Sequence, residues 1–200
     1  MDTSLYETVN GFAARHDGWE DVLRFFALDA QYFFVGLLAV LFLARGKWES
    51  QSARHGVVAA GFSAALALGL AQVISHLWER PRPYVAHPDI AHLFIPPSVD
   101  PSFPSDHATA AFAIAVAIFL RSRRIGVLAL VMATILAVAR VAVGTHYPGD
   151  VLGGALLGTL CALCFYIPAV RAPLHGLADW ASGIYDRIVV RVTPGVHGAR

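Results

Sequence analysis

Charged residues are scarce in this sequence. Lysine and arginine number 15 and acidic residues 14, so that only 14% of the 200 residues are charged, whereas a soluble domain carries about 25%. Hydrophobic residues make up 56%, and they come in long blocks rather than at an amphipathic period. A soluble helical core would need fewer and shorter apolar runs. The composition therefore favours a membrane protein.

Three other features are missing or rare. The first 20 residues carry acids and lack the apolar core of a cleavable signal peptide. No internal repeat or low-complexity segment is evident, which predicts a single domain over residues 1–200. The two cysteines, Cys161 and Cys164, lie three apart in one apolar block, where we interpret them as small packing residues.

The apolar blocks have the length of membrane spans, because a bilayer core of about 30 Å needs roughly 20 apolar residues per helix. Five blocks qualify: 26–44, 56–77, 105–120, 125–143 and 149–170. The third is short, but the arginines that follow it can reach the interface. The sequence predicts an all-α polytopic membrane protein with about five transmembrane helices. Residues 1–25 form an amphipathic interfacial helix, 26–170 the transmembrane core and 171–200 a cytoplasmic tail.

Basic residues are distributed asymmetrically. They concentrate between the first and second spans, between the third and fourth, and after the fifth. They are Arg45, Lys47, Arg54; Arg121, Arg123, Arg124; and Arg171, Arg187, Arg191, Arg200. Five spans place all three groups on one side, and the positive-inside rule makes that side cytoplasmic. We therefore expect a multi-pass protein of the plasma (inner) membrane, with its amino terminus and the loops 78–104 and 144–149 outside.

Polar residues form three clusters at the ends of predicted spans, where ionisable groups mark function if several converge. The clusters are Glu79-Arg80-Pro81-Arg82-Pro83-Tyr84, Phe103-Pro104-Ser105-Asp106-His107, and Arg140 with Gly144-Thr145-His146-Tyr147-Pro148-Gly149-Asp150. The orientation deduced from basic residues puts all three outside. A lone arginine here could simply snorkel, and a lone histidine could be interfacial. Their convergence on one side favours a common site.

All three clusters contain groups suited to phosphate. Arg82 and Arg140 carry planar guanidinium groups that match phosphate oxygens, and the prolines on either side of Arg82 stiffen the chain that presents it. Ser105 is placed to cap the helix that begins after it, and a helix start attracts anions. The pattern predicts an anion-binding pocket.

Two histidines and an aspartate supply candidate catalytic groups. His146 and Asp150 are four residues apart around a Pro-Gly turn, so the carboxylate can hold one imidazole nitrogen while the other attacks. His107 can protonate a leaving group. These three side chains are also suitable zinc ligands. Arginines beside the site would repel a divalent cation, however, and the sequence predicts no metal and no other cofactor.

These motifs resemble the superfamily of type 2 phosphatidic acid phosphatases, which includes lipid phosphate phosphatases and vanadium haloperoxidases. The family pattern is a lysine with Arg-Pro seven residues later, then Pro-Ser-Gly-His, then Ser-Arg with histidine six residues on and aspartate four further. Arg82-Pro83, Pro104-Ser105-Asp106-His107 and Arg140–His146–Asp150 match it, within residues 75–155. Three positions depart from it. They are Ser75 for the lysine, Asp106 for the glycine and Ala139 for the serine before the arginine.

One branch of the superfamily is especially similar, the bacitracin-resistance type of undecaprenyl-diphosphate phosphatase, in which Ser-Asp-His is usual. The resemblance implies hydrolysis of this polyprenyl diphosphate outside the membrane, which recycles the cell-wall carrier lipid. It implies membrane lipids as surroundings and no nucleic-acid partner. The implied roles are as follows: nucleophile His146, its orienting carboxylate Asp150, general acid His107, and phosphate-binding residues Arg82, Arg140, Ser105 and Arg80, the last in place of the lysine.

Other functions fit parts of the pattern. A phosphatase of phosphatidic acid or phosphatidylglycerol phosphate would use the same chemistry. A phosphotransferase would pass the histidine-bound phosphate to another lipid instead of water. A transporter or channel of anionic lipids would need ionisable residues at mid-membrane depth, and none lies clearly within the predicted spans.

The predicted orientation can be tested by thiol labelling of intact cells. Single cysteines at Val99 and at Ser122, each in a variant without Cys161 and Cys164, would be exposed to a membrane-impermeant thiol reagent. We expect labelling at position 99 and none at position 122, because the first lies in the outer loop and the second among cytoplasmic arginines. Labelling at 122 alone would reverse the topology.

Overall fold

A computed structural model of the chain describes residues 1–44 and 50–192. These residues form helices and no strand, which confirms the predicted all-α class. A short 3-10 turn at Asp17–Trp19 joins the first two helices. The α-helices are α1 (Asp2–Ala14), α2 (Glu20–Leu28), α3 (Ala30–Leu43), α4 (Gln51–Leu77), α5 (Pro83–Ala86), α6 (Asp106–Phe119), α7 (Arg123–Ala142), α8 (Pro148–Cys164) and α9 (Pro168–Val192).

The helices differ from the predicted spans mainly at two breaks. Helices α4 and α7 are each long and apolar enough to cross a membrane. The predicted span 26–44 is interrupted at Asp29, where α2 and α3 meet at 47°. The predicted span 149–170 is interrupted before Pro168, whose ring removes a backbone donor, and α9 leaves α8 at 80°. Helix α6 has 14 residues and is short, as expected. The number of five spans stays a prediction.

Small residues allow α6 to pack closely against α8. A Cβ atom at Gly158 would lie 2.3 Å from the carbonyl oxygen of Thr109, and one at Gly154 would lie 2.7 Å from that of Ser105. Glycine at these positions lets the two backbones approach, as it does in many membrane helix pairs. At the end of this contact the Ser105 amide donates to the Asp150 carbonyl at 3.1 Å. The close packing therefore fixes the starts of the two helices side by side.

Helix α1 packs on the end of the bundle that carries the polar motifs. Tyr6 and Asn10 are buried. The Asn10 amide nitrogen donates to the carbonyl oxygens of His92 at 2.7 Å and Ala142 at 2.8 Å, and its oxygen accepts from the His92 amide at 2.8 Å. The segment predicted as one helix over residues 1–25 is divided, because α1 ends at Ala14 and α2 begins at Glu20, and one face of α1 contacts protein. Its location at the membrane interface stays a prediction.

Basic side chains occupy the opposite end of the bundle, together with α9. Arg54, which is buried, donates to Asp186 at 3.1 Å and to the Phe42 carbonyl at 3.1 Å. A guanidinium nitrogen of Arg121 lies 2.6 Å from a ring nitrogen of His175. Helix α9 therefore crosses this end against α4 and α3. Three of the basic residues used to predict the orientation, Arg45, Lys47 and Arg200, lie outside the described residues.

The contact between α6 and α8 predicts a large difference between two glycine substitutions. Gly158→Ala should destabilise the protein by about 1–3 kcal/mol, because the added methyl group must displace backbone atoms of α6. Gly69→Ala in α4 is the matched control, since a Cβ there would meet nothing within 4 Å. The measurement is the unfolding temperature of each variant in the same detergent. Equal temperatures for both variants would contradict the proposed tight contact.

Candidate active site

The three polar clusters meet in one pocket at the end of the bundle. The pocket encloses about 370 Å³. It is lined by residues from the end of α4, the loop before α6, the start of α6, the end of α7 and the loop after α7. Arg82, His107, Arg140 and His146 all contribute to its wall. The structure thus brings together four of the residues predicted from separate motifs.

Arg82 is held by backbone carbonyls. Its side chain is buried, with Nε donating to the Asp100 carbonyl at 2.8 Å and Nη1 to the Thr145 carbonyl at 3.2 Å. Nη1 also lies 3.3 Å from Nε2 of His146. Pro83 begins the short helix α5 immediately after Arg82, and steric clash with the Cδ atom of its ring favours an extended backbone at Arg82. The guanidinium is therefore fixed beside the imidazole.

Arg140 approaches the same imidazole from the last turn of α7. Its Nη1 donates to the Ala27 carbonyl at 3.2 Å, and its Nη2 lies 3.5 Å from Nε2 of His146. Its buried Nε has no hydrogen-bond partner within the described part of the chain. No described carboxylate is within ion-pair distance of either Arg82 or Arg140. The two cations create a strongly positive potential, which favours an anion.

His146 presents one defined nitrogen to these cations. The chain turns into it at Gly144, whose φ of 89° suits glycine. Nδ1 lies 2.9 Å from the carbonyl oxygen of Ser102. A carbonyl only accepts, so Nδ1 carries the proton and Nε2 carries the free electron pair. Burial lowers the pKa of His146 to about 4, with Asp150 opposing this shift and both arginines adding to it. The imidazole is therefore neutral near pH 7.

Asp150 lies farther from His146 than predicted. Its Oδ2 is 3.7 Å from Nδ1. The same oxygen accepts from the Ser102 hydroxyl at 2.5 Å and from the Tyr147 amide at 2.8 Å. The direct orienting partner of the imidazole is consequently the Ser102 carbonyl, and Asp150 fixes Ser102. Sequence reasoning missed Ser102 because a backbone carbonyl leaves no signature in residue type.

Arg80 does not line the phosphate pocket, contrary to its predicted role. Its Nη1 donates to Oδ1 of Asp150 at 2.6 Å and its Nη2 to Oδ2 of Asp2 at 2.6 Å. The guanidinium also lies over the Tyr147 ring, 4.1 Å from the ring centroid. Burial alone would lower the pKa of Arg80, but hydrogen bonds and charges of Asp2 and Asp150 raise it. These two acids hold Arg80 beside Asp150 and outside the pocket.

The start of α6 supplies further groups to the site. Ser105 occupies the predicted cap position of the helix, but its side chain makes no capping hydrogen bond. Its buried hydroxyl has no hydrogen-bond partner among the described residues. Ser105 is not among the residues that line the pocket, so its predicted contact with phosphate stays a prediction. Asp106 and His107 line the pocket, and Asp106 accepts from the side chain of Gln72 at 2.9 Å.

An apolar groove adjoins the phosphate pocket. It encloses about 570 Å³ between α3, α4, α6 and α7, and its wall includes Phe34, Leu68 and Ile114. Asp106 and His107 line both the groove and the pocket. A ligand with a charged head and an apolar tail can therefore fill both spaces, with the junction of head and tail near these two residues.

The zinc alternative is not supported by this geometry. Within residues 1–44 and 50–192, no group of three or more histidine, cysteine or acidic side chains is arranged to hold a metal ion. Nε2 of His146 lies between two guanidinium groups, and Asp150 is occupied by Arg80, Ser102 and the Tyr147 amide. The arrangement suits a phosphate better than a cation.

Comparisons with known proteins agree on one family. A family model described as the PAP2 superfamily matches residues 56–172. Undecaprenyl-diphosphatase BcrC of Bacillus subtilis is 29% identical, over 96% of each chain. A protein of Bacillus licheniformis named bacitracin transport permease protein BcrC is 30% identical, over 97% of this chain and 92% of its own. The crystal structure of Aquifex aeolicus LpxE superposes with a TM-score of 0.63 at 26% identity, covering 82% of this chain and 93% of that one.

The two guanidinium groups should be essential and should not be replaceable by lysine. Arg82→Ala and Arg140→Ala should each lower kcat by about 10²–10³-fold, the typical effect of removing a preorganised donor from a developing charge. Arg82→Lys should recover little, since an ammonium group cannot present two parallel donors. Phosphate release from a lipid diphosphate in detergent measures this. The control is Arg24→Lys, because Arg24 is an exposed arginine that pairs with Glu20. Near-normal rates for Arg82→Lys would contradict the prediction and show that positive charge alone suffices.

Proposed function

The chain belongs to the PAP2 superfamily of lipid phosphatases, and from this premise we propose that it hydrolyses undecaprenyl diphosphate to undecaprenyl phosphate and inorganic phosphate. The observation that carries the proposal is the position of Nε2 of His146. This nitrogen is unprotonated and lies between Arg82 and Arg140, in a pocket that joins an apolar groove. A nucleophile, two guanidinium groups that can bind phosphate and space for a lipid tail are thus adjacent.

In the first step, Nε2 of His146 attacks the terminal phosphorus of the diphosphate. A P–N bond forms, the P–O bond to the inner phosphate breaks, and lipid monophosphate leaves. The ring becomes positively charged, because its Nδ1 keeps its proton, which remains hydrogen-bonded to the Ser102 carbonyl. Arg82 and Arg140 balance the charge that spreads over the transferring oxygens. Phosphoryl transfer depends mainly on such positioning and charge stabilisation, so these residues suffice without a metal.

In the second step, water attacks the phosphorus of the phosphohistidine. The P–N bond breaks, inorganic phosphate leaves and His146 returns to its neutral form. His107 is the general acid for the leaving group and the base that takes a proton from water. Its place at the junction of pocket and groove, where the inner phosphate of a bound diphosphate would lie, supports this role.

Two observations support a polyprenyl diphosphate as substrate. The relative from Bacillus subtilis, which matches over nearly the whole chain, is named as an undecaprenyl-diphosphatase. The apolar groove reaches the phosphate pocket from the side of the helices rather than from the loops, so a lipid can enter while its tail remains in the bilayer.

The buried ionisable side chains of the described residues lie at the ends of the bundle, which favours an enzyme over a transporter of anionic lipids.

We place the active site at the outer face of the plasma membrane. The support is the separation of the two ends of the bundle. The catalytic pocket lies at one end, whereas Arg54 and Arg121 lie at the other with α9. The positive-inside rule makes the second end cytoplasmic. Diphosphate released outside the cell is then within reach of the pocket.

The role of His107 distinguishes a diphosphate substrate from a phosphate monoester. Cleaving a diphosphate expels a lipid monophosphate, whose second pKa is about 6, so it can leave with little help from an acid. Cleaving phosphatidic acid expels an alkoxide nearly as basic as hydroxide, and the pKa of water is about 15.7. General acids contribute about 10²–10⁴-fold. His107→Ala should therefore slow hydrolysis of undecaprenyl diphosphate far less than hydrolysis of phosphatidic acid.

The measurement is the ratio of single-turnover rates on the two lipids, in the unmodified protein and in His107→Ala. His146→Ala is the control, and it should abolish both reactions. Equal losses in His107→Ala would show that this residue mainly binds phosphate. Turnover of phosphatidic acid or phosphatidylglycerol phosphate but not of the diphosphate would reassign the substrate. A phosphorylated second lipid in place of inorganic phosphate would identify a phosphotransferase.

A further inference from the structure

An acidic residue at the start of the chain contacts the catalytic machinery. Asp2, in the first turn of α1, accepts from Arg80 at 2.6 Å through Oδ2 and from the Gly149 amide at 2.8 Å through Oδ1. Gly149 is adjacent to Asp150. A Cβ atom at Gly149 would lie 2.8 Å from Oδ2 of Asp2, so the absence of a side chain there permits the contact. Asp2 thus contacts both Arg80 and the residue that precedes Asp150.

Asp2, Arg80 and Asp150 form a chain of two ion pairs that ends beside the imidazole. Arg80 donates one hydrogen bond of 2.6 Å to each carboxylate. Asp150 is fully buried, and Asp2 is about one third exposed, at 32%. From Asp150 the connection continues to the Ser102 hydroxyl at 2.5 Å, and the Ser102 carbonyl accepts from His146. Four contacts therefore connect Asp2 to the proposed nucleophile.

The net charge of these three side chains depends on Asp2. The charges of Arg80 and Asp150 by themselves sum to zero, so that pair would attract a positively charged imidazole only weakly. Addition of Asp2 gives the three side chains a net charge of −1 on the Nδ1 side of His146. The Nε2 side faces two guanidinium groups. A nearby negative charge stabilises a positive ring, particularly where water is excluded.

We propose that Asp2 is a positioning residue for the phosphoryl-transfer reaction, acting through Arg80 on Asp150 and His146. This inference rests on the proposed phosphohistidine mechanism, in which the imidazole becomes positively charged when the P–N bond forms. Asp2 keeps Arg80 from cancelling the charge of Asp150, and it holds Arg80 away from the phosphate pocket. Helix α1 is then part of the active site, although it lies outside the residues matched by the family model, 56–172.

Substitution of the carboxylate by an amide tests this role. Asp2→Asn keeps an oxygen that can accept from the Gly149 amide but removes the charge. We expect kcat to fall roughly tenfold, the lower end of the effect of removing a residue that holds a metal-binding side chain in place. KM should change little, because Asp2 does not touch the substrate. Asp2→Glu should restore part of the rate. Glu7→Gln, an exposed acid on the same helix, is the control. Any affinity tag belongs at the carboxyl terminus.

A double-mutant cycle separates the charge effect from simple docking of α1. Asp2→Asn should cause no further loss of kcat in an Arg80→Gln background, because its effect passes through Arg80. An equal loss in both backgrounds would mean that Asp2 acts only by capping α8, and it would overturn the proposal. A normal kcat for Asp2→Asn would also overturn the proposal, as would a fall in unfolding temperature large enough to account for the loss of activity. Retained turnover in His146→Ala would instead refute the phosphohistidine mechanism itself.

Discussion

Two buried guanidinium groups converge on a single imidazole nitrogen, and the remainder of this end of the protein depends on that arrangement. Arg82 and Arg140 repel one another, and such repulsion is strong where water is excluded. No described carboxylate pairs with either of them; the Asp100, Thr145 and Ala27 carbonyls hold them instead. Partial charges of carbonyl groups fix the position of a guanidinium without cancelling its charge. The full charge therefore remains available for a phosphate, which can form strong charge-assisted hydrogen bonds with both groups.

The two nitrogens of His146 face opposite electrostatic environments. Nε2 faces two cations, whereas Nδ1 donates to a carbonyl with acidic groups behind it. The cations and burial keep the ring neutral and nucleophilic before reaction. In the proposed mechanism, the acids on the other side stabilise the ring once it carries positive charge. One residue can then meet both requirements, because the cations and the acids lie on opposite sides of the ring and do not pair directly with each other.

Much of the site could be predicted from the sequence, because its residues follow the ends of apolar helices. Four of them converge as expected: Arg82, His107, Arg140 and His146. The exception is Arg80, which lies outside the pocket. Arg80 and Arg82 are only two residues apart, and the sequence does not show which of them pairs with acidic residues. Asp2 lies 78 residues from Arg80, and no local pattern reports such a contact. The bend at Asp29 was also missed, because an apolar run alone does not show where a helix changes direction.

The position of Arg80 outside the pocket means that one departure from the family pattern is not compensated. Ser75 stands where the pattern has a lysine and lines the pocket, and Arg80 does not replace that cation. Asp106 adds a carboxylate to the same wall. The pocket therefore carries less positive charge than the family pattern would give it. Under the proposed mechanism, a loss that weakens binding of substrate and transition state equally should leave kcat unchanged. The contacts that the proposed transition state needs are those beside Nε2 of His146, and the two guanidinium groups there are retained.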